Sequence, residues 1–323
     1  MLVNGACADY GSKFCPCYLA ETGSCVVCSR VNGQDSCDCR IFGGGFCVLE
    51  ELERQRGKAK PGRPTISCEV TTVFHRENFV FFRMKIPPAL EGALKQPGSF
   101  VFVKMEDNPW FDVPVSVQYD ESSVGSIGMS LIYRGPKTAG FRKLKQGDTV
   151  FLRAPYWNGM LGKREIQSLS GGKCLMLIRG IGLLPSISVI THLIEQHNDV
   201  KIFLDKTGFP EKDLQFHLNL FELTAEFFSL VTEDGKLSEA AKEEVKSFLA
   251  SGGDLIHIGA SEYVIRLVTD YLKETGAVHV RLSCCNNANM TCGEGICGAC
   301  TSVSPDKRTV HYCKEQLSIW RSF

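Results

Sequence analysis

The 323-residue sequence has no long apolar run: nowhere do roughly 18 apolar residues follow one another, the stretch a membrane-crossing helix needs. Its opening, MLVNGACADYGSKF, lacks the apolar core of a secretion signal. Neither sign of charge is in excess, since 36 basic residues balance 36 acidic ones. That balance argues against nucleic acid or an anionic membrane as a partner. The expectation from these absences is a cytoplasmic protein that binds neither. Cysteine is scarce through the middle of the chain, where only Cys68 and Cys174 fall between residues 47 and 284.

The chain nevertheless holds 16 cysteines, and the remainder crowd into 7–47 and 284–313. A disulfide framework goes with a secretion signal and a small domain. With neither read here, dense cysteine points to metal ligation, and the oxygen sensitivity of exposed clusters fits an anaerobic host. Within CCNNANMTCGEGICGACTSVSPDKRTVHYC, Cys292, Cys297 and Cys300 follow C-x4-C-x2-C, and Cys313 comes later. This is the plant-type spacing for a [2Fe–2S] cluster. Three thiolates must converge from one loop, and Gly293, Gly295 and Gly298 allow the tight curl. Cys313 would arrive on a strand over 309–312, with His311 either an outer donor to the cluster or a solvent-facing strand residue. Zinc sites present paired C-x2-C units instead. Cys284 and Cys285 precede the loop with no evident ligand role.

Residues 1–60 read as a separate Cys-rich metal module: Cys7, Cys15 and Cys17 in C-P-C, Cys25 and Cys28 in C-x2-C, Cys37 and Cys39 in C-D-C, then Cys47. So few aliphatic residues predict no hydrophobic core, with metal in its place. Two four-cysteine sites, or one site with spare thiols, satisfy the count. Iron–sulfur and zinc both suit the spacing, and the cluster loop elsewhere favours one or two further iron–sulfur centres.

A charged linker (ELERQRGKAKPGRP, 51–64) follows. Short β-rich runs at 66–74, 79–86, 99–105, 127–133 and 149–153, separated by turn-rich segments, predict an antiparallel barrel over 61–160. From 161 to 276 strands at 174–178, 200–204, 227–231 and 254–258 alternate with helices at 185–196, 238–249 and 262–275. That alternation predicts an α/β domain with a parallel sheet, its first strand turning through Arg179-Gly180-Ile181-Gly182 to a helix N-terminus where a pyrophosphate can sit. A last strand, 278–283, opens the cluster domain 277–323, whose tail Trp320 and Phe323 are expected to pack or meet a partner. The fold class is thus multidomain α+β.

This order of parts resembles the ferredoxin–NADP reductase superfamily, most closely the iron–sulfur flavoprotein subunits of two-subunit dihydroorotate dehydrogenases, over about residues 64–323. Pro97-Gly98-Ser99-Phe100 is similar to the family's PGQF; Gly135-Pro136-Lys137-Thr138, with Leu144 and Gly147-Asp148, to its GxGT…L…GD; Ala154 to Gly159 to GPLGNG; Glu233-Asp234-Gly235 to TxDGS; Cys292 to Cys300 to CGxGxCxxC. The resemblance implies FAD between barrel and α/β domain, held by Val113, Pro114, Ser116, Gly135, Thr138, Asn158 and Gly159. It also implies a nicotinamide site at Arg179, Gly180 and Gly182, and a catalytic partner subunit, with ferredoxin a further electron partner. Three positions depart from the pattern. Val113 replaces the Arg of R-P-x-S that neutralises the flavin diphosphate, with Arg134 a nearby substitute. Arg179 replaces a glycine of GGGIGxAP, and Ile258-Gly259-Ala260 replaces the CGP thiol. NAD(P) binding is therefore doubtful. The readings that follow are an electron-transfer subunit, a non-catalytic scaffold that has lost nicotinamide binding, and a free-standing NAD(P)H:ferredoxin reductase.

Overall fold

The computed structural model describes residues 6–37, 45–106, 112–120, 122–303 and 307–323. The first of these segments begins with strand β1 (Ala6–Cys7) and the short helix α1 (Tyr18–Glu21); helix α2 (Val48–Arg54) follows. Here the sequence expectation needs correcting. Residues 6–60 do form a small core, in which Val27, Ala20 and Val48 pack with the buried Cys15, Cys25 and Cys28, flanked by Tyr10, Phe46, Leu49 and Leu52. Thiols supply part of what aliphatic side chains would otherwise fill. The presumed linker also changes character, because 51–54 belongs to α2 and Arg63 at its far end is buried. Cys39 lies outside the described residues.

The barrel is built from β2 (Thr65–His75), β3 (Phe79–Lys85), β4 (Phe100–Lys104), β5 (Val113–Ser116), β6 (Ser126–Ile132) and β7 (Thr149–Tyr156), with helix α3 (Pro88–Leu94) packed on β7 and the short α4 (Pro136–Ala139) after β6. All pairings are antiparallel, in the order β5-β4-β7-β2-β3-β6. A bridge between Gln118 and Gly128 draws the two edges together, so the barrel is nearly closed. Strand β2 serves both halves by bending: Thr65 to Glu69 pair with β7, Val70 to His75 with β3, and the register shifts at Val70/Thr72.

Strand β3 breaks the usual in–out alternation: Phe79, Val80, Phe81 and Phe82 are all fully buried. Val80, Phe82 and Met84 fill the barrel with Val101, Val103, Met129 and Leu152. Phe79 and Phe81 point the other way, onto Phe209, Phe216 and Phe221 of the second domain. One strand therefore belongs to two cores, which fixes the barrel against its neighbour.

That neighbour begins with β8 (Met160–Leu161), α5 (Lys163–Gln167), β9 (Lys173–Arg179), α6 (Leu183–Glu195), β10 (Asp199–Asp205), α7 (Glu211–Leu220) and β11 (Glu226–Phe227). It continues through α8 (Glu239–Ala250), β12 (Leu255–Gly259), α9 (Glu262–Glu274) and β13 (Arg281–Cys285). The sheet order is β11-β10-β9-β12-β13-β8, parallel except at β8. Its central strands read as continuous apolar runs because helices cover both faces. The expected strand at 227–231 shrinks to β11, since Leu230 leaves the ladder to give its N–H to the Asp205 carboxylate. Strands β14 (Thr301–Val303), β15 (Thr309–His311) and β16 (Glu315–Gln316) and the helix α10 (Ile319–Ser322) complete the chain, with β16 pairing back onto β1. Trp320 and Phe323 pack on the second core of the α/β domain. Among the described residues no helix is long and apolar enough to cross a membrane.

Candidate electron-transfer site

Between β13 and β14 the chain curls to present Cys292, Cys297 and Cys300, and Cys313 follows β15, so that the thiols form two couples. Cys292 and Cys297 hydrogen-bond to each other, as do Cys300 and Cys313. Burial opposes charge on Cys292, yet backbone N–H groups of the loop, Glu294 among them at 3.3 Å, hold its pKa below the usual thiol value. The Cys313 thiol draws Cys300 down to about 6 and is itself pushed up. Two thiolates per iron is what a two-iron core requires of four cysteines, so the donor set fits. Among the described residues no three His, Cys, Asp or Glu side chains are gathered into a formed ion site; the thiols stand as couples.

The curl depends on glycine at Gly295, where φ is +81 and an added Cβ would stand 2.8 Å from Leu19 of α1. The N-terminal module thus presses on the loop between Cys292 and Cys297. Within that module, burial pushes Cys7 up, Cys15 to about 12 and Cys25 to about 11, and neighbouring Cys17 adds to all three. Cys28 acts in turn on Cys25. Cys37 and Cys47 are exposed. Cys17 thus influences three of these thiols, and the division of these cysteines into one site or two stays with the sequence expectation.

A buried ionic quartet, not read from the sequence, joins the module to the loop. Arg63 donates to Asp9 at 2.6 Å and to Glu294 at 3.0 Å; Lys314 donates to the same two carboxylates at 2.6 and 3.2 Å. Tyr156 OH donates to the other oxygen of Glu294 at 2.9 Å. Burial works against each charge, but the partners prevail: the pKa of Asp9 is lowered and those of Lys314 and Arg63 are raised. Arg63 also lies 4.2 Å from the ring centres of Phe14 and Tyr156.

Against the other side of the loop lies a cavity of about 560 Å³, lined by Pro114, Val115 and Ser116 of β5, Gly159, Pro185 of α6, Cys285 and the run from Asn286 to Thr291. Pro114, Ser116 and Gly159, expected to hold a flavin, line this cavity. Val113 turns into the barrel wall. Arg134 and Gly135 are exposed, and their N–H groups donate to Thr138 Oγ1 at 2.9 and 3.1 Å. Both N–H groups are therefore satisfied within the protein. Lys137 reaches the Asp112 carbonyl at 3.3 Å, a cation next to Val113. Asn158, also expected at the flavin, spends its amide on Tyr312 O, Glu315 O and Gln316, tying the segment after β7 to the C-terminal residues.

The nucleotide turn is filled by protein. Arg179, an arginine in a glycine position, forms an ion pair with Asp205 at 3.2 Å across neighbouring strand ends. A Cβ on Gly182 would stand 1.8 Å from Gly259 O, so this glycine serves close backbone packing. The Ile258 position offers no thiol, but Cys285, two strands along from β9, stands 4.0 Å from Gly182 O and 3.8 Å from Ser186 Oγ. Sequence reasoning gave Cys285 no role, and only the parallel sheet order brings it into the cavity wall.

A nearly closed antiparallel barrel joined to a parallel α/β domain is the architecture of ferredoxin–NADP reductase-like electron-transfer proteins. No protein-family model matches the chain. It is 29% identical over 231 residues to the electron transfer subunit of dihydroorotate dehydrogenase B (NAD(+)) from Streptococcus pneumoniae serotype 4, covering 68% of this chain and 86% of that one. It is 24% identical over 264 residues to sulfhydrogenase 2 subunit gamma of Pyrococcus furiosus, covering 73% and 88%. The solved NADH-dependent reduced ferredoxin–NADP oxidoreductase superposes with a TM-score of 0.56 at 15% identity, over 78% of this chain and 89% of that one. The chain resembles electron-transfer subunits of multi-subunit oxidoreductases in sequence, and that oxidoreductase in fold.

Proposed function

We propose that this chain is an electron-transfer subunit of a multi-subunit oxidoreductase. In this reading Cys292, Cys297, Cys300 and Cys313 hold a [2Fe–2S] cluster, FAD occupies the cavity beside β5, and a catalytic partner subunit exchanges electrons with both. The observation that carries it is a shared wall: the run from Asn286 to Thr291 lines the cavity and leads directly into Cys292. Bound flavin supplies a carrier that takes two electrons and passes them singly, which suits a one-electron cluster. Pro114 to Ser116 and Pro185 fix the cavity faces, and the loop's N–H groups lower the pKa of Cys292, which favours metal ligation. The N-terminal thiols hold a further iron–sulfur centre. By name, the relatives from Streptococcus pneumoniae and Pyrococcus furiosus are subunits of larger enzymes, which supports a partner here.

A scaffold reading, with nicotinamide binding lost, draws on the Arg179–Asp205 pair and the packed Gly182. It affects where electrons enter, not the relay. The test is the ultraviolet–visible spectrum of anaerobically purified protein with iron, zinc, sulfide and flavin analysis. Flavin near one per chain with iron and sulfide supports the proposal; absence of flavin with zinc in place of iron overturns it.

A further inference from the structure

The hairpin between β2 and β3 and the turn after β6 form one surface that neither the cavity nor the cluster loop uses. His75 joins them, its Nδ1 meeting Tyr133 OH at 2.9 Å and its Nε2 meeting Leu144 O at 2.8 Å. From 133 to 147 the chain carries Arg134, Lys137, Arg142, Lys143 and Lys145 and no aspartate or glutamate, although the whole sequence is charge-neutral. Arg142, Lys143, Lys145 and the hairpin's Arg76 are exposed, and they form no ion pair among the described residues. The carboxylates close by are committed. Glu77 pairs with Lys212 at 3.3 Å and Glu211 with Lys206 at 2.7 Å, Asp148 accepts the Lys145 N–H at 2.8 Å, and Asp213 is buried. Two of the cations rest on aromatic rings: the Arg142 guanidinium lies 4.0 Å from the Tyr133 ring centre and that of Arg76 4.7 Å from Phe216. Phe74, 42% exposed, meets Phe216 edge-on at 5.8 Å. Two grooves of about 480 and 520 Å³ share Arg76 and Lys212 on their walls, and the second runs on to Phe216 and Leu220 of α7.

We propose that this face docks an acidic protein surface, one that sets several carboxylates around an apolar side chain. The inference rests on the reading of the chain as a subunit with a partner, and it says where that partner's surface sits and what chemistry it presents. An arginine already stacked on a ring keeps its fork in place, so less side-chain freedom is lost when a carboxylate arrives. Arginine and aromatic side chains are also the residue types that anchor protein interfaces. Four cations without counter-charges draw an acidic surface in, while Phe74 and Leu220 give it apolar contact. The mixture favours a protein over a polyphosphate. Apolar side chains interrupt the row of cations, and the Glu77–Lys212 pair lies among them, where a phosphate backbone would meet a carboxylate. Arg134 and Lys137 belong to the turn that the resemblance gives to the flavin, so Arg76, Arg142, Lys143 and Lys145 carry the docking face.

The test uses the full chain and a fluorescent peptide of glutamates interspersed with leucines, with binding read by anisotropy. Affinity is expected to fall by about tenfold or more between low salt and roughly 0.3 M salt, where the Debye length shrinks to about 6 Å. An Arg142→Gln/Lys143→Gln/Lys145→Gln variant should lose a similar factor at low salt, and Phe74→Ser should weaken binding without changing its salt dependence. The same peptide with glutamine in place of glutamate should not bind. Hydrogen exchange of the unmodified chain with the peptide should show protection over 74–79, 142–145 and 212–220, and this arm decides alone if the triple variant does not fold. Protection elsewhere, unchanged affinity in the triple variant, or no binding at low salt would overturn the docking face. Tighter binding of duplex DNA or of phosphatidylglycerol vesicles at the same salt would overturn the choice of a protein partner. Flavin, iron and sulfide are counted in the same preparations. Their presence with no peptide binding sinks the docking face alone, and their absence sinks the electron-transfer reading.

Discussion

Single side chains around the cluster loop divide into those announced by spacing and those announced by nothing local. Cys292, Cys297 and Cys300 are close in sequence because one loop must present them, so C-x4-C-x2-C makes them legible. Cys297→Ala is predicted to abolish the rhombic [2Fe–2S] signal after one-electron reduction, since one iron loses half its protein ligands. A variant with full cluster content and an unchanged spectrum contradicts the assignment. Asp9, Arg63 and Lys314 were illegible for the opposite reason: Asp9 and Lys314 meet across 305 positions. Arg63 sat in a charged segment that reads as solvated linker. Removing one such partner is expected to be severe, roughly 3–5 kcal/mol, because a charge is left buried and unpaired. Asn158 and Thr138 show the converse limit. Their types fit a ligand site, but their hydrogen bonds are spent within the protein.

Strands and helices were easier to place than what they touch. The barrel runs showed through their turns, and β12 and α9 through unbroken apolar character or helical period. Helix α7 was missed because its exposed positions dilute a short apolar stripe of Leu214 and Leu218 around the buried Asp213 and His217. That helix carries a prediction. His217 Nδ1–H donates to the Asp213 carbonyl at 2.7 Å, and its Nε2 hydrogen-bonds with Ser130 Oγ, 2.7 Å away, between the rings of Phe79 and Phe216. Burial lowers its pKa to about 4, against a smaller opposing effect of Asp213. The folded pKa lies below the unfolded value of about 6.5, so the unfolded chain binds more protons between them. Stability is then full above pH 6.5 and falls on acidification toward pH 4, by roughly 1.4 kcal/mol per pH unit from this group. Thermal midpoints at pH 7 and pH 5 should differ accordingly, and His217→Gln should flatten the difference; an equal slope in the variant removes His217 from the account. The N-terminal module invites a second test. Its core of a few aliphatic residues and several thiols is too small to stand without metal. Chelation should release protection of its amides while those of the barrel persist, and an apo module with full hydrogen-exchange protection would show that its own core suffices.

At the scale of the whole molecule, the order barrel, α/β domain, cluster loop was legible because each part has its own periodicity. The way the ends of the chain meet was not, because β1 and β16 are two residues each and their pairing spans nearly the full sequence. That closure places the N-terminal module on one side of the cluster loop and the cavity on the other. Electrons from a nicotinamide would have to enter from the cavity side, with the ring against the flavin and the diphosphate at the start of α6. There Arg179 is turned sideways onto Asp205, and Gly182 is packed against Gly259. Asp205 has no oxygen to offer a ribose, since it accepts from Thr207 and Leu230 and pairs with Arg179. The isolated chain, loaded with flavin and iron–sulfur centres, is therefore predicted to be reduced slowly or not at all by NADH or NADPH. A low-potential one-electron donor such as reduced ferredoxin, or an associated subunit, should reduce it rapidly. Anaerobic stopped-flow mixing separates the two cases. Bleaching of the flavin band by NADH at about 10 per second or faster, a typical enzymatic turnover, would mean that the filled turn opens to admit the dinucleotide, and the chain would be a reductase in its own right.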